Sequence, residues 1–164
     1  MTELLEKGLN VESAVNDYIN NLGATTIWDK LDDNPPIQLI INNQKFGDII
    51  VFEDNRNAPR YLKYKLDVKS AHRNNENKLI CFIAFSSSNN FEGQFFCASN
   101  ENDVEDSYLL NASSVKKYIN KISDDKIHYG PSGDPGHYFI IDDFENKIKL
   151  IDFIKENVLK NMEK

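Results

Sequence analysis

The run Tyr61-Leu62-Lys63-Tyr64-Lys65-Leu66-Asp67-Val68-Lys69 alternates without interruption. Leu62, Tyr64, Leu66 and Val68 are apolar or aromatic, and Lys63, Lys65, Asp67 and Lys69 stand between them. A period of two belongs to a half-buried strand, in which residues i and i+2 share a face. Asp67 and Lys69 are therefore expected to point the same way at its end. Upstream, Gly47-Asp48 opens a second strand-like run through Glu53, and 37–41 reads as a third. If 47–53 and 61–70 pair as an antiparallel hairpin with Glu53 opposite Tyr61, Asp48 falls opposite Leu66, beside Asp67. Two carboxylates and a lysine then meet at the ends of paired strands.

A helical period precedes these strands. Leu4, Gly8, Val11, Val15, Tyr18, Ile19 and Leu22 recur at three- and four-residue steps, predicting an amphipathic helix over 3–22 that ends at Gly23. At 100° per residue Glu12 sits on the edge of the apolar stripe, whereas Glu3, Glu6 and Asp17 face away. A carboxylate at a core margin costs free energy unless something pairs with it, and its simplest outlet is water or a lysine. After a connection over 24–36 and the three strands come a polar loop at 70–78 and an apolar run at 79–85, a buried strand or a short helix. A loop at 86–93, a strand at 94–98, a short extended segment at 108–110 and a helix capped by Ser113 or Ser114 follow. A loop at 124–136 leads to a last strand at 137–141. Asp142, with Glu145 in capping-box position, is expected to start a terminal helix whose stripe is Phe144, Ile148, Ile151, Ile154 and Val158. The pattern predicts an α/β (α+β) fold: a central mixed β-sheet flanked by helices, in a single domain over 1–164.

Composition narrows the class. With 40% hydrophobic and 11% aromatic residues, the 164-residue chain can bury a substantial core. No apolar run approaches the roughly 20 residues of a membrane span, and the acidic first residues lack a secretory pattern. Cys81 and Cys97 match no zinc spacing and make no disulfide framework. The expectation is a cytoplasmic protein with no membrane partner. A net charge of −7 opposes indiscriminate binding to nucleic acid, which depends on neutralising phosphates. Its distribution softens that objection: 45–78 holds eight Lys/Arg against five acids, +3, leaving −10 elsewhere.

Acid-x-Lys also occurs at Glu76-Asn77-Lys78, Asp124-Asp125-Lys126 and Glu145-Asn146-Lys147. Only Asp67-Val68-Lys69 ends an amphipathic strand that follows another strand bearing an acid. A helix carrying Glu12, a strand, a strand beginning with Asp48 and a strand ending Asp67-Val68-Lys69 together resemble the PD-(D/E)XK nuclease superfamily. The resemblance covers roughly residues 3–85, with Gly47 where that motif usually has proline. It implies a restriction-endonuclease-like α-β-β-β core and Mg²⁺- or Mn²⁺-dependent hydrolysis of DNA phosphodiesters. Asp48, Asp67 and Glu12 would be the metal ligands, and these three with Lys69 the catalytic set. Lys63, Lys65, Ser70, His72 and Arg73 are the candidate nucleic-acid contacts, although His72 is most simply an exposed loop histidine.

The residue types suit that chemistry. Mg²⁺ keeps several waters, so two carboxylates and a substrate phosphate suffice. A lysine beside them can orient a water and stabilise transition-state charge. Two other readings stand beside the enzyme: a related fold that binds nucleic acid or a protein without cutting, and an interaction domain in which the acids and lysine form only a surface salt bridge. Small nucleases that cut both strands commonly work as dimers, which makes a homodimer one candidate assembly, but no interface is legible.

Overall fold

The computed structural model describes residues 3–28, 48–53, 61–122, 126–130 and 133–159, with the backbone alone for 3–7, 53 and 61–63. The strand expected at 37–41 lies outside them, as do Gly47 and the side chain of Lys63. The chain opens with helix α1 (Glu3–Asn21) and strands β1 (Thr25–Trp28), β2 (Ile49–Glu53), β3 (Tyr61–Arg73) and β4 (Leu79–Ala84). A short helix α2 (Phe85–Asn90), β5 (Phe95–Ser99), β6 (Tyr108–Asn111) and α3 (Ala112–Ile119) follow. It closes with β7 (His128–Tyr129), β8 (Pro135–Ile140), β9 (Lys147–Lys149) and α4 (Leu150–Phe153), which widens into a π turn over Ile154–Val158.

The described strands form one mixed sheet in the order β7-β8-β4-β3-β5-β6-β9, with β2 on β3 and β1 on β2. All pairs are antiparallel except β3 with β5. The mixed sheet flanked by helices expected from the pattern is present. Among the described residues no helix is long and apolar enough to cross a membrane.

Each face of the sheet buries its own core. On one, Val11, Val15 and Ile19 of α1 and Leu150, Phe153 and Ile154 of the C-terminal helix pack on Ile49, Val51, Leu66, Val68 and Cys97. The Phe153 ring meets Tyr64 and Phe95 edge-on at 4.7 and 4.9 Å between centroids. On the other face, Ala71, Cys81, Ile83, Phe96, Ala98 and Phe139 pack with Val115 and Ile119 of α3. Strand alternation sends Leu66 and Val68 to the first core and Asp67, Lys69 and Ala71 to the second side.

Several boundaries differ from the sequence expectation. Residues 25–28, expected in a connection, form a strand because β2 offers them a free edge, from Thr25 opposite Phe52 to Trp28 opposite Ile49. Strand β3 does not stop at Lys69: it runs to Arg73 because Ala71, His72 and Arg73 pair with β4. Ser70, His72 and Arg73 are thus strand residues. The hairpin turns at 74–78, where the Asn74 carboxamide oxygen accepts from the Glu76 and Lys78 amides and Asn77 adopts φ 61°. Residues 85–90 are helical rather than a loop. Asn111, not Ser113 or Ser114, caps α3, its side chain accepting from the Ser114 amide at 3.0 Å. The C-terminal helix begins at Leu150 rather than Asp142. Residues 141–143 make a single 3₁₀ turn, and Lys147–Lys149 take the free edge of β6 instead.

Candidate metal and phosphate site

The β2–β3 register decides which side chains meet. Glu53 is opposite Tyr61, as the hairpin requires, but Ile49 rather than Asp48 is opposite Leu66. The cause is a bulge: Val51 pairs with Tyr64 and Phe52 with Leu62, so Lys63 is the extra residue. A slip of one residue exchanges the faces of everything beyond it. Without the bulge, Asp48 would share the buried face of Leu66. With it, Ile49 takes that place and ends the ladder, and Asp48, one residue before it, lies close enough to Asp67 for the two charges to act on each other. The Asp48 amide, just outside the ladder, donates to the Leu66 carbonyl at 2.8 Å.

The site lies in a fork. Strand β2 pairs with β3 up to Leu66, and β4 joins the same edge only at Ala71. Between them, 67–70 pair with β5 alone among the described strands. The Val68 amide faces this gap and donates to Asp48 Oδ2 at 2.8 Å. The Asp48 carboxylate therefore fills a ladder position that none of the described strands occupies. Its carboxyl is pushed well above the usual carboxylate range, first by burial and then by the charges of Asp67 and Glu12. The Val68 amide and Lys69 oppose that rise without cancelling it.

Lys69 Nζ lies 3.3 Å from Asp67 Oδ1 and donates to Ser87 Oγ of α2 at 3.0 Å. Burial pulls the ammonium down, but attraction from Asp67 and Asp48 and the hydrogen bond to Asp67 outweigh it, leaving its pKa raised. The Asp67 and Lys69 side chains are 12% and 23% exposed, so the pair is largely withdrawn yet still reachable.

Glu12 is half-buried on α1, on the Leu66 and Val68 side, and its Oε1 accepts from Trp28 Nε1 at 3.1 Å. Asp48 is the group that feels both Glu12 and Asp67. Among the described residues no group of three or more His, Cys, Asp or Glu side chains is drawn together tightly enough to hold a metal ion. Asp48 and Asp67 are the pair with the character of a cation site. They are two adjacent carboxylates, one of which resists ionisation in their mutual field, and an oxygen-seeking, water-retaining Mg²⁺ fits that donor set.

The candidate phosphate contacts divide. Lys65 alternates onto the Asp67 side, half-buried. Ser70 and His72 alternate onto the opposite face, His72 exposed and Ser70 half-buried. Arg73 is engaged by the Asp106 carboxylate and by the Asn77 carbonyl at 2.9 Å. The nearby thiols are inert: burial pushes Cys81 up to about 12, and Cys97 is raised further by the same cause. Two participants were not legible in the sequence. Trp28 lay in an apparent connection, and Ser87 in a serine run with the composition of a loop; only tertiary contact brings them to Glu12 and Lys69.

No protein-family model matches the chain, and no curated protein matches it in sequence.

Proposed function

We propose that the protein is a metal-dependent nuclease hydrolysing DNA phosphodiester bonds, built on a restriction-endonuclease-like α-β-β-β core. The observation that carries the reading is the sheet fork, where Asp48, its carboxyl pushed well above the usual range by burial and by neighbouring charge, lies beside Asp67 and Lys69. Buried like charges are costly, and a divalent cation relieves that cost. The chemistry a bound Mg²⁺ or Mn²⁺ supplies is polarisation of the scissile phosphate and acidification of a water. Asp48 and Asp67 would hold it, with Glu12 adding negative charge from the α1 side. Lys69 would orient the attacking water and stabilise charge on the pentacovalent phosphorus. In the hydrolysis a water oxygen would bond to phosphorus as that water gives up a proton to solvent, the bond to the leaving sugar oxygen would break, and that oxygen would take up a proton.

The test is cleavage of plasmid and branched DNA with Mg²⁺ or Mn²⁺. Lys69→Ala is expected to lower cleavage about a hundredfold or more, with only modest loss of DNA binding. Activity that survives the substitution would place the chemistry elsewhere. The engagement of Lys69 by Asp67 and Ser87 favours one rival, a nucleic-acid- or protein-binding module that does not cut. Wild-type inactivity on every substrate, with metal demonstrably bound, would establish it.

A further inference from the structure

Lys69 is held from two directions. An ammonium has three donors in fixed tetrahedral relation. One is directed at Asp67 Oδ1, 3.3 Å away, and another at Ser87 Oγ, 3.0 Å away. Two fixed directions leave the third determined. Asp67 alone would not achieve this, because a flexible four-carbon stem can keep one ion-pair contact while Nζ swings around it. Ser87 comes from a different part of the fold from Asp67. Helix α2 begins directly at the end of β4, and its Phe85 packs against the second core. Ser88, the neighbour of Ser87, is buried, which ties the helix to the body of the protein. The Ser87 hydroxyl is thus presented by a packed element.

Resting on the nuclease reading, we infer that Ser87 is a positioning residue: it fixes the direction of the third Lys69 N–H so that it meets the attacking water or the phosphate oxygen. Its contribution is geometric. Lys69 keeps its charge and its Asp67 partner when Ser87 is lost. A serine or threonine satisfies the requirement, and alanine does not.

The experiment uses the full chain with Ser87→Ala, Ser87→Thr and Lys69→Ala. Each is assayed for DNA cleavage, for Mg²⁺ binding by calorimetry, and for its lysine side-chain signals by ¹H–¹⁵N correlation. The Lys69→Ala spectrum assigns the Lys69 ammonium, which is visible when its protons are held in hydrogen bonds. Ser87→Ala is expected to lower kcat about tenfold, the scale of one charge-assisted hydrogen bond, with KM and Mg²⁺ affinity unchanged. It should also broaden or abolish the Lys69 ammonium signal, and Ser87→Thr should restore both. If the wild type and Ser87→Ala cut equally well while Lys69→Ala is inactive, the positioning role is overturned and the nuclease reading stands. If the wild type does not cut, the nuclease reading fails and with it any catalytic use of the contact. An ammonium signal unchanged in Ser87→Ala would overturn the contact itself.

Discussion

Asp48 carries two duties that pull against each other. It accepts the Val68 amide, which no described strand takes, and it does so as a carboxylate beside two others. The sign of the pH dependence follows. The native state holds the Asp48 proton more tightly than the unfolded chain does, whose carboxyl titrates near 3.8. Between that value and the raised native one, stability falls as pH rises, and above the native value the penalty is complete. Asp48→Asn keeps an oxygen for Val68 and removes the charge. Without divalent metal, its Tm at pH 7.5 is expected to exceed that of the wild type by roughly 2–4 °C, equivalent to about 1 kcal/mol. The advantage should disappear below about pH 4, where the wild-type carboxyl is neutral in both states. Thermal melts of both proteins across this range make the check. A variant less stable than the wild type at neutral pH would mean that Lys69 already compensates the charge.

At the scale of elements, the close approach of β8 to β4 supplies a sharper stability test. Gly136 pairs with Ala84, and a Cβ there would stand 2.4 Å from the Ile83 carbonyl oxygen and 2.6 Å from the Phe82 ring. The ring can move; the carbonyl, in a central ladder, cannot. Gly136→Ala is expected to destabilise by about 1–3 kcal/mol or more, seen as a lower urea midpoint with an unchanged slope. Neutral behaviour would mean that the β4–β8 ladder is looser than drawn. What the sequence made legible was the elements with internal rhythm. Helix α1 and strand β3 each carry a period long enough to be read alone, and Asp67 and Lys69 follow from the second. Elements defined by a partner were not legible. Strand β1 has no alternation of burial, and β9 is three residues closing the edge of β6. Helix α2 is Phe85-Ser86-Ser87-Ser88-Asn89-Asn90, poor helix formers held by packing. The bulge at Lys63 left no local mark, yet it decides that Ile49 rather than Asp48 stands opposite Leu66. An unbroken hairpin brings the two acids to the same end of the ladder but shifts Asp48 by one residue.

For the molecule as a whole, the balance of charge sets how DNA could be approached. The chain carries −7, and on the nuclease reading the Asp48–Asp67 pair adds local repulsion where the phosphate would dock. Part of the positive charge of 45–78 is already engaged, since Lys69 faces Asp67, Arg73 faces Asp106 and Lys78 lies by Asp143. On the nuclease reading, divalent cation is therefore required for docking as well as for chemistry. Labelled duplex and branched DNA, followed by fluorescence anisotropy, should bind the wild type more tightly with millimolar Mg²⁺ than with chelator at matched ionic strength. Matching matters, because screening alone changes such affinities steeply. Asp67→Asn separates the two contributions. It removes one negative charge beside the phosphate and one metal oxygen donor, so affinity in chelator should rise severalfold while the response to Mg²⁺ shrinks and cleavage is lost. Loss of one carboxylate relieves Asp48 but takes the charge partner from the largely buried Lys69, so the variant is expected to melt somewhat lower than the wild type in chelator. If Asp67→Asn binds DNA no better in chelator and keeps its full response to Mg²⁺, the fork is not where phosphate and metal meet.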